Sequence, residues 1–346
     1  MLRIESQIRS LRQMLNLFGQ TVRIVVLLLV AMVVLPEATN AQTSRLSGIL
    51  WSVDWSFNDR YFAVGGERTL WVFDSKTRKQ VPWSAPDVLH VGMAVKWHPQ
   101  KNLLAVAGDK EVTGIYDLST GHKTPLKTAE GARGVSWNHS GDLLATAGND
   151  GSMQVWQTDG TLLHTTRPEN GKSLTGIEWH PSKNSFVSVG EFIAIHDGEG
   201  KILKQITHRP AAEGFCLLLC VEGHPSGEFF VVGDYGNHET GDPPVLQFWS
   251  PEGTLLKTIV QEGGAEFRNI GWSPDGSWLA SASDALRVWT KDGTLLNSGD
   301  PASLLWGVRW NHADDQLLTS SLRGDVTLWN SKADGPEEIR LNRGRK

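Results

Sequence analysis

One unit of this sequence is spelled out most plainly at residues 269–290, NIGWSPDGSWLASASDALRVWT. An apolar–polar alternation ends on Trp272, a Ser-Pro-Asp-Gly turn follows at 273–276, and a mostly apolar run returns over 278–282. A second turn leads to Leu286-Arg287-Val288-Trp289. Period-two alternation is the mark of a strand and Pro-Asp-Gly is turn chemistry, so the unit reads strand, turn, strand, turn, strand. Three short strands cannot bury both faces alone and need neighbours of the same kind.

The neighbours are in the chain. Aligned on the first Trp, the copies fall at Trp55, Trp97, Trp137, Trp179, Gly223, Trp272 and Trp310, in steps of 42, 40, 42, 44, 49 and 38 residues. A second landmark follows each at Phe73, Tyr116, Trp156, His196, Trp249, Trp289 and Trp329. A period near forty with four strands per copy predicts an all-β, seven-bladed β-propeller of four-stranded antiparallel blades. Blades are expected to start at Leu50, Met93, Arg133, Thr175, near Leu217, and at Arg268 and Trp306.

The pattern resembles the WD-repeat family. The residues that carry the likeness are 273–276 with 286–289, 138–141 with 154–156, and Ile115-Tyr116-Asp117. The resemblance runs roughly from Leu46 to Leu341 and implies a binding platform more than a particular reaction. The copy departs from the family in two ways. No unit has Gly-His shortly before its first strand, and Trp-Asp is never intact. The family's buried His–Asp arrangement is therefore expected to be lost, leaving Trp packing between blades to carry stability.

At 346 residues the propeller, 45–342, leaves room only for a leader at 1–41 and a basic tail at 343–346. The net charge is −5; residues 1–41 carry +2, leaving −7 for the rest, and no basic run exists outside the last eight residues. Nucleic acid is not an expected partner. Residues 24–35 form an unbroken apolar run of 12, ended by Pro36 and Glu37 and followed by small residues before Gln42. That is the layout of a cleaved secretory signal, with Met14 an alternative start, since 12 residues are short for a membrane span. The expectation is a periplasmic or secreted monomer; if the leader stays on, residues 24–35 tether it to a membrane. Outer strands begin 18 residues before the next Trp, and counting back from Trp55 reaches Glu37, inside the leader. So the last blade is expected to be completed by its own C-terminus, with blades seven and one closing by side-chain packing.

The only cysteines, Cys216 and Cys220, lie four apart at the start of an expected strand. Their Cα atoms would be ~13 Å apart, too far for a disulfide, so both are expected to be free and buried.

The position four before each aligned Trp reads Trp51, Met93, Arg133, Thr175, Leu219, Arg268, Trp306. Two Trp, two Arg and a Met at one equivalent position have the composition of interface anchors. With Tyr235 and His238, from the long blade-five loop within 234–244, they form the candidate partner-binding surface of the top face. The competing reading makes Trp51 and Trp306 packing wedges at the ring closure. The position just before each Trp reads Asp54, Lys96, Ser136, Glu178, Glu222, Gly271, Arg309. This is a polar channel wall, and its bland reading is a set of solvated or paired charges. His98, His139, His180, His224 and His312 fall in the first turns, too far apart to share a metal. His238 and Glu239, near Asp234 and Asp242, match no cation-binding motif. No nucleophile elbow, phosphate loop or helical metal pair appears. The resulting expectation is a non-enzymatic scaffold for an unidentified protein or peptide, with no catalytic residue, metal or cofactor. The alternative is a propeller enzyme or small-ligand binder using Asp54, Glu178, Glu222 and Arg309.

Overall fold

The computed structural model describes residues 48–338 except 68, 83–92, 168–172, 210–215, 238–239, 262–263, 314 and 334–336; at 69 and 337–338 only the backbone is described. Seven antiparallel sheets follow one another in chain order. Their innermost strands are Leu50–Trp55, Ala94–Trp97, Ala132–Trp137, Gly176–Trp179, Leu218–Gly223, Asn269–Trp272 and Leu305–Trp310. Six sheets have four strands. In the first, three strands are extended by an isolated bridge between Phe73 and Gln80, which stands where the outer strand would run. The last blade is finished by Glu337–Glu338, paired to Val326–Asn330, so the C-terminal part of the chain completes it. Residues 1–41, where a leader is expected, and the tail at 343–346 lie outside the described residues.

Seven apolar clusters fill the molecule, one at each seam between adjacent blades. At the seam of blades five and six, Val231, Leu246 and Phe248 meet Ile270, Trp272, Leu279 and Trp289. The closing seam packs Leu50, Val53, Trp55 and Phe62 of blade one on Leu318, Val326 and Leu328 of blade seven. Among the described residues no strand is exchanged there; Gly307 lies so close to blade one that an added Cβ would stand 3.0 Å from Ser52 Cα. The first-landmark indoles serve these seams as apolar mass. Among the described residues the Nε1 groups of Trp55, Trp97, Trp179, Trp272 and Trp310 have no hydrogen-bond partner. Only Trp137 donates, to Lys96 O at 3.1 Å.

The second landmark behaves differently in three blades. Trp156, Trp289 and Trp329 each donate Nε1–H to a hydroxyl one strand inward, on Thr146, Ser281 and Thr319, at 3.0, 2.9 and 2.9 Å, whereas Trp249 Nε1 has no partner among the described residues. His196 keeps the same bond, its Nε2 lying 2.9 Å from Ser188 Oγ. The imidazole is wholly buried, and desolvation pushes its pKa down to about 4.

The turn histidines divide into two kinds. His180 donates Nε2–H to Gly227 O at 3.0 Å and His224 to Gly276 O at 2.9 Å, each reaching the equivalent turn of the next blade. His98 packs its ring on Gly141 at the equivalent place, although its Nε2 makes no hydrogen bond among the described residues. Gly141, Gly227 and Gly276 have φ of +78°, +73° and +74°, and a Cβ there would strike the imidazole. Three of the five histidines expected in the first turns are therefore latches between blades. His312 forms another contact, its Nδ1 2.9 Å from Asp59 Oδ1 across the closing seam. His139 is exposed.

Both cysteines are free. Cys220 is buried in its strand, whereas Cys216 is half-buried rather than buried as expected, because it stands two residues before Leu218–Gly223. One buried His and Asp do approach each other, His208 Nε2 lying 3.5 Å from Asp234 Oδ2, but without hydrogen-bond geometry.

Candidate functional site

In each blade the residue four before the aligned landmark lies within the innermost strand or, for Met93, Thr175 and Arg268, directly before it, and the seven side chains meet at one end of the ring. Trp51, Met93, Arg133, Thr175, Leu219, Arg268 and Trp306 all line a single cavity of about 150 Å³, with Lys96, Glu178 and Arg309. The repeat spacing explains this: equivalent positions in seven blades face one axis, and in blades one, three, five and seven this residue stands at a bulge, skipped by the pairing between Leu50 and Ser52, Ala132 and Gly134, Leu218 and Cys220, and Leu305 and Gly307.

The rim is uneven. Trp51 and Trp306 meet edge to face across the seam of blades one and seven, with centroids 4.5 Å apart and planes at 89°. Arg268 stacks its guanidinium on Trp306, 4.0 Å from the ring centroid, and sits 5.6 Å from the Tyr235 ring. Its charge is met by Glu266, an ion-pair partner two residues earlier that the spacing of the repeats does not single out. Burial pushes the Arg268 guanidinium down to about 10, and the like charge of Arg133 acts in the same direction. Arg133 is also lowered by desolvation. Among the described residues it has no ion-pair or hydrogen-bond partner. Met93, Thr175 and Leu219 complete the wall; Tyr235 is 37 % exposed beside it, so the loop leaves an aromatic face to solvent. His238 lies outside the described residues. Trp51 and Trp306 thus both wedge the closing seam and face the cavity, combining the two readings set out for them.

The floor is ion-paired. Lys96 Nζ lies 3.5 Å from both Glu178 Oε2 and Glu222 Oε2. Arg309 Nη1 is 3.1 Å from Glu222 Oε2, and its Nε is 3.6 Å from Asp54 Oδ1. Gly271 makes way for this arginine: Arg309 Nη1 donates to Ile270 O at 2.6 Å, and a Cβ at 271 would lie 3.1 Å from Nη1. Asp54 Oδ2 also accepts the Trp97 N–H at 2.6 Å. Three carboxylates therefore face two cations. Burial, with the Glu222 charge adding to it, pushes Glu178 up to about 7, against the pull of Lys96 and Arg309. Desolvation likewise raises Asp54. A proton on Glu178 would leave two carboxylates against two cations, the balanced arrangement. Most of these side chains are spent on one another, which fits the paired reading of the channel wall.

A second polar cluster sits at the root of the blade-five loop. Asp234 Oδ1 accepts the N–H groups of Gly236 and Val245 at 3.1 and 2.8 Å. Its Oδ2 accepts from Arg209 Nε at 2.7 Å and from Cys216 Sγ at 3.3 Å. Burial alone would raise Asp234; these donors and the neighbouring His208 outweigh it and hold the carboxyl below its usual range. Asp242, on the other side of the loop, instead accepts from Thr240 Oγ1 at 2.7 Å, so the two aspartates do not share a site.

With this geometry in view, three stretches, 41–74, 117–157 and 253–296, match the family model described as WD domain, G-beta repeat. The chain carries WD40 repeats. Its propeller is 26 % identical over 289 residues to a protein transport protein sec13 of Aspergillus fumigatus, an alignment covering 69 % of this chain and 90 % of that one. It is 22 % identical over 257 residues to the B-type cell cycle switch protein ccs52B of Medicago truncatula, covering 72 % and 48 % of the two chains. Among solved structures, a chain in the crystal structure of a mitotic checkpoint complex superposes with a TM-score of 0.70 at 18 % identity, over 86 % of this chain and 96 % of that one. The last likeness concerns the fold of the WD40-repeat ring.

Proposed function

We propose that this WD-repeat propeller is a non-enzymatic scaffold that holds a protein or peptide partner at the mouth lined by Trp51, Met93, Arg133, Arg268, Trp306 and Tyr235. The observation that carries the reading is the rim itself. Seven equivalent positions converge on one cavity with five different residue types, two of them indoles in edge contact under a stacked guanidinium. A position that only served packing would be filled alike in every blade. Large, rigid aromatic and arginine side chains at a partly dry mouth are what protein interfaces use as anchors. The scaffold is taken to be a monomer exported to the periplasm or the exterior; the apolar run at 24–35 supports the export, and a retained leader would tether it to a membrane instead. The test replaces Trp51, Arg133, Arg268 and Trp306 by alanine together, with folding checked by circular dichroism, and captures partners from the envelope fraction of the native host. Loss of a partner that the wild type retains supports the site; unchanged capture removes it. Mass spectrometry of the mature N-terminus tests export.

A second reading, a small ligand on the cavity floor, is favoured by one observation: Glu178 faces the cavity with a pKa pushed up to about 7. It is the weaker reading, because Lys96 and Arg309 already engage the carboxylates.

A further inference from the structure

The cluster at the root of the blade-five loop brings together three donors of different chemistry. His208 comes from the segment after the outer strand of blade four, Ile202–Ile206. Cys216 comes from just before the innermost strand of blade five, and Asp234 ends the next strand, Phe230–Asp234. Their donor atoms lie within 4.8 Å of one another. Two of the separations are shorter: His208 Nε2 to Asp234 Oδ2 is 3.5 Å and Cys216 Sγ to the same oxygen is 3.3 Å. A tetrahedral zinc ion with Zn–N and Zn–O bonds near 2.0 Å and a Zn–S bond near 2.3 Å has ligand–ligand edges of roughly 3.3–3.8 Å. Two of the three edges thus already stand at the spacing a zinc ion imposes, and the His208–Cys216 pair, within 4.8 Å, needs only a small approach.

The imidazole gives the independent observation. His208 is 6 % exposed, and neither ring nitrogen makes a hydrogen bond among the described residues. The 3.5 Å approach of Nε2 to Asp234 falls short of hydrogen-bond geometry. Buried polar groups are nearly always partnered. A wholly buried imidazole pointed at a carboxylate and a thiol, and bonded to neither, is the arrangement of a ligand set with its centre left out. Arg209 is compatible with a metal here. Its Nε holds one side of Asp234 Oδ2 while its Nη2 is fixed on Pro243 O at 2.7 Å. It acts as the outer donor that orients a ligating carboxylate, and leaves the oxygen's other lone pair toward His208 and Cys216.

We infer that His208, Cys216 and Asp234 bind one zinc ion, with solvent in the fourth position on the half-buried side of Cys216. Imidazole, thiolate and carboxylate together suit zinc rather than calcium or magnesium, which favour all-oxygen sites. On binding, Cys216 gives up its proton to solvent and its sulfur bonds the metal; nothing is oxidised or reduced. The ion would join the entry to blade five to the start of the 235–244 loop, and so fix the base of the segment that carries Tyr235.

The test uses the whole propeller, stripped with a chelator and titrated with cobalt(II), which reports a thiolate ligand by a sulfur-to-metal charge-transfer band in the near ultraviolet. The expected result is a band saturating at about one equivalent, displaced by zinc, present in Cys220→Ala and lost in Cys216→Ser and His208→Gln. Absence of the band in folded wild type, or a band unchanged by Cys216→Ser, overturns the inference. Should either variant fail to fold, alkylation of the wild type decides. Zinc should slow modification of Cys216 at least tenfold and leave Cys220 as it was; equal rates with and without zinc reject the site.

Discussion

The two ends of the innermost strands are built on opposite rules. At one end, three blades use the same device, a histidine one residue after the landmark seated on the left-handed turn glycine of the next blade. At the other end, four residues before the landmark, the blades share a position and little else: indole, thioether, guanidinium, hydroxyl and isobutyl groups face one cavity. Repetition at equivalent sites is the trace of a structural job done once per seam. Variation at equivalent sites that converge in space is the trace of a surface free to recognise something. The teaching is that in a repeat protein, the position that fails to repeat is informative once the fold shows that its copies meet.

The difference can be broken most forcefully from the latch end. Gly276→Ala puts a Cβ 2.7 Å from His224 Nε2 at a residue with φ of +74°. Left-handed strain and a displaced buried hydrogen bond together should cost about 2–4 kcal/mol. Urea unfolding should show that loss while partner capture stays intact.

His196 sharpens the same contrast within the repeated landmark. Its folded pKa is depressed to about 4, so the fold binds the neutral ring. The stability this contributes is present above the ordinary histidine value near 6.5 and is lost as pH falls through about 4. At 1.36 kcal/mol per unit this is roughly 3 kcal/mol. His196→Trp, which restores the residue found in four other blades, should flatten the acid limb of stability against pH; an unchanged limb would place the acid sensitivity elsewhere.

At the varied end, Trp306→Ala should cost about 1–2 kcal/mol from the lost edge contact with Trp51 and the cation contact with Arg268. It should reduce partner capture far more than it reduces stability. The smallest effect is expected on the floor. Glu178 has a raised folded pKa, so its favourable contribution is complete below the ordinary glutamate value near 4.5 and fades as pH rises through about 7. Because its side chain keeps 18 % of its exposure to the cavity, the loss is on the order of 1 kcal/mol. Glu178→Gln should abolish it, which thermal melts at pH 5 and pH 8 will measure.

Much of the fold was legible from the chain, because spacing and turn chemistry are local. The seven landmarks, the loop before Val245 and the completion of the last blade by residues near 337 all follow from counting. The convergence of Trp51, Arg133, Arg268 and Trp306 was legible too, since equivalent positions in a closed ring must share a face. What stayed hidden depends on which atoms meet across a seam or the channel. His180 and His139 look alike in the sequence, yet only the one directly after its landmark reaches the next turn. Lys96 finds Glu222 across 126 residues, a pairing no local pattern encodes. His208, Cys216 and Asp234 come from three segments, and neither the 8-residue step from His208 to Cys216 nor the 18 to Asp234 matches a ligand motif.

The most direct measurement compares two folded variants for capture of the same native partner: Trp51, Arg133, Arg268 and Trp306 replaced by alanine at the mouth, and His180 with His224 replaced by alanine at the latches. The account predicts that the mouth variant loses the partner while the latch variant retains it at a lower melting temperature. Retention by the mouth variant together with loss by the latch variant would contradict it.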